Sequence, residues 1–196
     1  MAVEINPKKD ALVLIDPQIC FMPGGVLAVP GGDKIFDVIN PLTKKFRVVA
    51  ASADWHPPNH ISFKERSGPW PPHCIQMRED ANFHPKLDQS NLSMVVRKGF
   101  NPDKEQYTAF DEVSQFGDML KARGINRIFV GGVATDYCVH DSVIGALKEG
   151  LDVYVLTDAI RGINVKPGDE ERALEDMKEH GAELITSKDI VEKTGA

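Results

Sequence analysis

The chain has 196 residues, 27% of them charged and 42% hydrophobic, with a formal net charge of −6. That length suits one domain, residues 1–196, with a core that needs no metal or disulfide staple. The charge is scattered without a basic block, which argues against nucleic acid as a partner, and no run reaches the roughly 20 apolar residues of a membrane span. The amino terminus, MAVEINPKKD, has no apolar signal segment, so a cytoplasmic location is expected. The first apolar run, Ala11–Ile15, ends in Asp16. A helix-like segment near 33–45 leads to a second run, Val48–Ser52, and then to Asp54, Trp55 and His56. Residues 55–92 are rich in proline, histidine and charge and have no clear period, and a loop that long in a compact domain is usually functional. Further runs at Met94–Val96, Ile128–Val130 and Val153–Leu156, and a weaker one at Glu183–Thr186, alternate with helix-like segments near 110–123, 136–149 and 168–180. Pro167 and Gly168 open the last segment and Gly181 closes it. Apolar strands separated by helices predict an α/β fold of three layers, a mostly parallel six-stranded sheet with helices on both faces.

In open α/β sheets, ligands bind beyond the carboxyl ends of the strands. The first four runs are followed by Asp16, by Asp54-Trp55-His56, by Lys98 and by GGVATDYC, which ends in Cys138. With Thr135 or Asp136 as N-cap, Cys138 falls in a first helical turn, where the dipole favours a thiolate and free N–H groups can bind an oxyanion. Cysteine is also a common small buried residue, so position alone leaves packing and reactivity equally good accounts. A nucleophilic thiolate needs a base and a cation, and Asp16 and Lys98 supply them. Singly, Asp16 reads as a turn former and Lys98 as a solvated charge. Together on one rim, the three favour chemistry.

Asp54 and His56 are two apart, so in an extended segment both point to one side, and His73 lies further along the same loop. Asp, His and His form an oxygen–nitrogen set suited to zinc, iron or manganese. His60, four residues past His56, competes as a ligand or as support for one, but HPPNH cannot be helical and His60 ranks below His73. Three cysteines without secretory context suggest free thiols, with Cys20 and Cys74 read as packing. His84, His140 and His180 read as surface or helix-cap residues. Phe21 and Trp70 would wall a pocket for a flat ring by stacking, and Tyr107 is a candidate wall or hydrogen-bonding residue.

Taken together, LVLIDPQICFMPGG, DWHPPNHISF, GPWPPHC, VVRKGF and GGVATDYCV resemble the nicotinamidase (pyrazinamidase) family of isochorismatase-like cysteine hydrolases, in order and spacing and over nearly the whole chain. The resemblance implies a Rossmann-like topology and a catalytic triad of Asp16, Lys98 and Cys138. It implies one divalent metal per subunit, zinc before iron or manganese, on Asp54, His56 and His73. Phe21 and Trp70 would sandwich a pyridine ring, and the N–H groups of Ala134 and Cys138 would form the oxyanion hole beside a cis Val133–Ala134 peptide. The implied reaction hydrolyses nicotinamide to nicotinate and ammonia, and pyrazinamide to pyrazinoate, in NAD salvage by a cytoplasmic homo-oligomer. A relative acting on N-carbamoylsarcosine or ureidoacrylate is the rival enzyme, and a non-catalytic domain on the same fold is the rival outside enzymology.

Overall fold

The computed structural model describes residues 2–191, so residue 1 and residues 192–196 of the expected 1–196 domain lie outside the described residues. Its six main strands are β2 (Asp10–Ile15), β3 (Val48–Asp54), β4 (Leu92–Lys98), β5 (Arg127–Val133), β6 (Asp152–Arg161) and β7 (Glu183–Ile185). They form one parallel sheet in the order β4-β3-β2-β5-β6-β7. The chain starts in the middle, builds outward through β3 and β4, then returns to the other side of β2. Between β2 and β5 the order reverses, and a crevice opens there in such sheets. A two-residue β1 (Val3–Glu4) pairs in parallel with β8 (Ile190–Val191), apart from the main sheet.

Alternation along β2 divides the core into two slabs. Leu12 and Leu14 pack with Ile35, Phe36, Ile39 and Leu42 of α1 (Ile35–Thr43) on one face. Ala11, Val13 and Ile15 pack on the other with Phe116 and Leu120 of α2 (Phe116–Lys121), Val143 and Ala146 of α3 (His140–Lys148) and Met177 of α4 (Asp169–Glu179). Each fully buried aliphatic or aromatic side chain of these slabs contributes about 1.5–3 kcal/mol. Gly132 has φ +131° opposite Ile15, and a Cβ there would collide with the Ile15 backbone. Glycine therefore lets the carboxyl ends of β2 and β5 lie close together.

Three expectations are corrected. The segment expected as a helix over 110–123 becomes helical only at Phe116, because Asp111 captures the N–H groups of Val113 at 3.1 Å and Ser114 at 2.7 Å in a side-chain turn. The segment expected over 136–149 splits into a π-helical turn, Thr135–Val139, followed by α3; such turns concentrate at functional sites. Cys20 and Cys74 are buried as expected but are not free. They form a disulfide with Cα atoms 5.7 Å apart, within the usual span of about 4.4–6.8 Å. Cys74 sits at φ +43°, a left-handed turn in the loop that brings it to Cys20. Among the described residues, no helix is long and apolar enough to cross a membrane.

Candidate active site

Four strand ends deliver the site. Asp16 follows β2 at φ +48°, a left-handed conformation that aspartate tolerates better than most residues. Its N–H donates to Ser52 Oγ at 3.2 Å, and its carbonyl accepts from the Gln18 N–H at 2.7 Å. Asp54 and Lys98 close β3 and β4 as register partners. The Lys98 ammonium, with no exposed surface, donates to Asp54 Oδ1 at 2.6 Å and to Cys138 Sγ at 3.2 Å, and stands 2.8 Å from Asp16 Oδ2. One buried cation thus touches both carboxylates and the thiol, an arrangement that repays desolvation only through such close pairing.

The charges sort accordingly. Burial works against a charge on Lys98, but Asp16 and Asp54 outweigh it and hold the pKa well above that of an ordinary lysine. Burial also works against a charged Asp54, and Lys98, with help from His56, overrides it, so Asp54 stays ionised far below the usual carboxylate range. For Asp16, burial wins over Lys98 and raises the pKa. Burial likewise pushes the Cys138 thiol well up against the pull of Lys98. Resting Cys138 is therefore a thiol, rather than the thiolate expected from a helix amino terminus.

The capping expectation changes as well. Neither Thr135 nor Asp136 caps the turn that carries Cys138. The Thr135 hydroxyl donates to Glu170 at 2.8 Å, while the Asp136 carboxylate accepts the N–H groups of Ile163 at 2.9 Å and Asn164 at 2.7 Å. The Val133–Ala134 peptide ahead of that turn is cis, as the resemblance implied.

Beside this cluster, ligand atoms of Asp54, His56 and His73 lie within 4.8 Å of one another, all three residues buried. His56 Nδ1 lies 2.9 Å from the Gly99 carbonyl and His73 Nδ1 lies 2.8 Å from the Pro71 carbonyl. Carbonyls only accept, so each Nδ1 carries the hydrogen and each Nε2 keeps its lone pair, the tautomer a metal ligand needs. Burial and the neighbouring His56 push His73 down to about 4, keeping it neutral. The set fits a divalent cation. Gly99 makes room for it: at φ +66°, any Cβ would strike the His56 ring.

His60 stands outside that ligand set. Its Nε2 lies 3.1 Å from the Lys104 carbonyl, and its Nδ1 takes the Ser62 hydroxyl at 2.7 Å and the Ser62 N–H at 3.3 Å. Both nitrogens are used, and the ring packs against His56 with centroids 4.3 Å apart. The 55–92 stretch is also less free than its sequence suggests. Buried Gln18 donates to the carbonyls of Asp54 and Ala81, each at 2.8 Å, and accepts the Asp54 N–H at 2.7 Å.

A small cavity of about 30 Å³ joins the two clusters. Phe21, Trp70, Tyr107, Ala134 and Cys138 line it, together with the metal-set residues Asp54 and His73. Trp70 Nε1 donates to the Tyr107 hydroxyl at 2.9 Å, fixing two of the walls to each other. Leu27, Val29, Tyr137 and Ile163 also line it, and the sequence reading did not single them out. Tyr137 adjoins Cys138 and meets the Trp70 ring edge-on at 5.0 Å, so its neighbour was its signal. Leu27, Val29 and Ile163 carried no signal, because their loops reach the pocket only through tertiary contacts.

Residues 10–189 match the family model described as isochorismatase domain. The nicotinamidase of Escherichia coli is 39% identical over 94% of this chain and 98% of its own. In structure, PnC1 from L. infantum in complex with nicotinate superposes with a TM-score of 0.94 at 34% identity, covering 98% of this chain and 100% of that one. The pyrazinamidase of Pyrococcus horikoshii in complex with zinc gives a TM-score of 0.83 at 45% identity, covering 91% and 99%.

Proposed function

The chain belongs to the isochorismatase domain family, and from that premise we propose that it is a nicotinamidase: a metal-assisted cysteine amidohydrolase that turns nicotinamide into nicotinate and ammonia, and pyrazinamide into pyrazinoate, in NAD salvage. One observation carries the assignment of roles. Lys98 touches the Cys138 thiol, Asp16 and the metal-set residue Asp54 at once, at the wall of an aromatic pocket.

Asp16 takes the Cys138 proton, and Sγ attacks the amide carbon while Lys98 holds the developing charge in place. The oxyanion falls to the backbone N–H groups of Ala134 and Cys138. As the tetrahedral adduct collapses, Asp16 returns its proton to the leaving nitrogen, and ammonia departs. Water then attacks the thioester carbon and gives a proton to Asp16, nicotinate leaves, and the thiol is restored. Proton transfer of this kind contributes about 10²–10⁴-fold. Phe21 and Trp70 hold the ring from either side, and Tyr107 braces Trp70 through its hydroxyl. Asp54, His56 and His73 would hold the metal, which when bound supplies a Lewis acid for the ring nitrogen and lowers the pKa of water. Zinc is the first choice for it, with iron or manganese as alternatives; a zinc complex of a 45% identical neighbour supports that order. A homo-oligomer in the cytoplasm completes the reading.

Ammonia release from nicotinamide and pyrazinamide tests it directly. The wild-type protein should release ammonia from both and lose activity to a chelator, with recovery on adding metal back. Cys138→Ala should lose turnover and keep its metal. Near-native turnover in that variant would rule out the covalent route. Inert nicotinamide in a protein purified without bound metal would shift the reading to another linear amide.

A further inference from the structure

We infer that Ser52 is a positioning residue that divides the work of the two Asp16 oxygens, anchoring Oδ1 and reserving Oδ2 for the proton of Cys138. The inference rests on the amidase reading of this site. Ser52 lies fully buried in β3 and meets Asp16 twice. Its Oγ accepts the Asp16 N–H at 3.2 Å and donates to Asp16 Oδ1 at 2.7 Å. A hydroxyl has a single proton to give, so that proton is committed to Oδ1.

The other oxygen is in a different state. Oδ2 is buried without an aligned hydrogen bond, although Lys98 Nζ stands 2.8 Å away. The same Nζ donates to Cys138 Sγ at 3.2 Å, and ligand atoms of Asp16 and Cys138 lie within 4.8 Å of each other. Oδ1 is therefore occupied by Ser52, while Oδ2 and the thiol share Lys98 as their neighbour. Carboxylate torsions are broad and nearly two-fold, so nothing intrinsic to aspartate keeps the two oxygens distinct. Ser52 does so by gripping the carboxylate and the backbone of one residue, which sits at φ +48°. Gripping the backbone also holds this left-handed turn.

Thr and Val have the same shape and differ in the hydroxyl, so Ser52→Thr and Ser52→Val separate hydrogen bonding from packing, alongside Ser52→Ala. Steady-state kinetics on nicotinamide, metal content and melting temperature would be measured for all three. Losing a hydrogen bond to the reacting carboxylate should lower kcat about 10- to 100-fold in the Ala and Val variants. KM should stay within about twofold and metal content should not change, which marks a loss confined to the transition state. Ser52→Thr should keep kcat within about threefold of wild type, the hydroxyl being retained. Alkylation of Cys138 by iodoacetamide, followed by intact mass, reads the same proton transfer without nicotinamide, and should be slower in the Val variant than in the Thr variant. Native kcat in Ser52→Val, equal losses in Val and Thr, or equal alkylation rates would overturn the inference. A wild-type protein inert toward nicotinamide would instead overturn the amidase reading, and the alkylation comparison would still decide the role of Ser52.

Discussion

Lys98 is the residue on which the site's electrostatics turn. It carries a charge without exposed surface, and its partners are two carboxylates and a thiol. Methionine keeps most of its bulk and none of its charge, so Lys98→Met isolates the electrostatic contribution. Removing one partner of a buried ion pair costs about 3–5 kcal/mol, because the other is left uncompensated. Denaturant unfolding of the metal-free variant should show a loss of that size, and ammonia release should vanish. A loss below about 1 kcal/mol would mean that water already screens the cluster, as at exposed pairs. The sequence revealed these residues because each lies in the stretch that leaves the carboxyl end of an apolar run. It did not reveal their protonation. The helix-terminus reading favoured a thiolate at Cys138, whereas burial raises that thiol, and the proposed mechanism gives its activation to Asp16. Burial is a property of the folded site, and neighbouring residues in sequence do not report it.

At the scale of elements, strands were more legible than their connections. β2, β3 and β5 are covered on both faces, so they read as unbroken apolar runs. α2 starts late and the segment at Cys138 begins as a π-helical turn, because local side-chain hydrogen bonds and tertiary contacts override periodicity there. The Cys20–Cys74 pairing was equally hidden, since its partners are 54 residues apart and their approach depends on the loop between them. The loop after β6 shows how such connections shape the pocket. Asp136, in the Cys138 turn, accepts the N–H groups of Ile163 and Asn164, and Ile163 lines the cavity. Asp136→Ala should free that loop and weaken the apolar wall while leaving Lys98, Asp16 and Cys138 in place. Hydrogen bonds to a charged group are worth about 1.5–3 kcal/mol each, so a rise of about tenfold or more in KM is expected, with kcat much less affected. Steady-state kinetics on nicotinamide check it. An unchanged KM would show that the loop holds its place without Asp136.

Across the whole molecule, the helices on the side of Cys138 are joined by a charged contact that the sequence reading set aside as surface. His140 opens α3 and lies between Asp141 Oδ1, 2.8 Å from Nδ1, and Asp176 Oδ2 of α4, 2.6 Å from Nε2. Both partners only accept, so both contacts are satisfied together only by the imidazolium. The bond to Asp141, with help from Asp176 and against partial burial, raises the His140 pKa above its ordinary 6.5. Because the folded-state value is the higher one, the contact contributes its full stability below about pH 6.5 and loses it as pH climbs through the folded-state pKa. The contact is partly exposed, so about 0.2–1 kcal/mol is the relevant scale. For a chain of this length that is a melting shift of about 2–4 °C at most. His140→Gln should therefore melt about 1–3 °C below wild type at pH 6 and close to it at pH 9. Asp176→Asn should reduce that pH dependence without abolishing it, since His140 then keeps the larger contribution of its sequence neighbour Asp141. Melting curves of the three proteins at both pH values decide the matter. A gap between wild type and His140→Gln that is the same at pH 6 and pH 9 would mean that shape, not charge, joins α3 to α4.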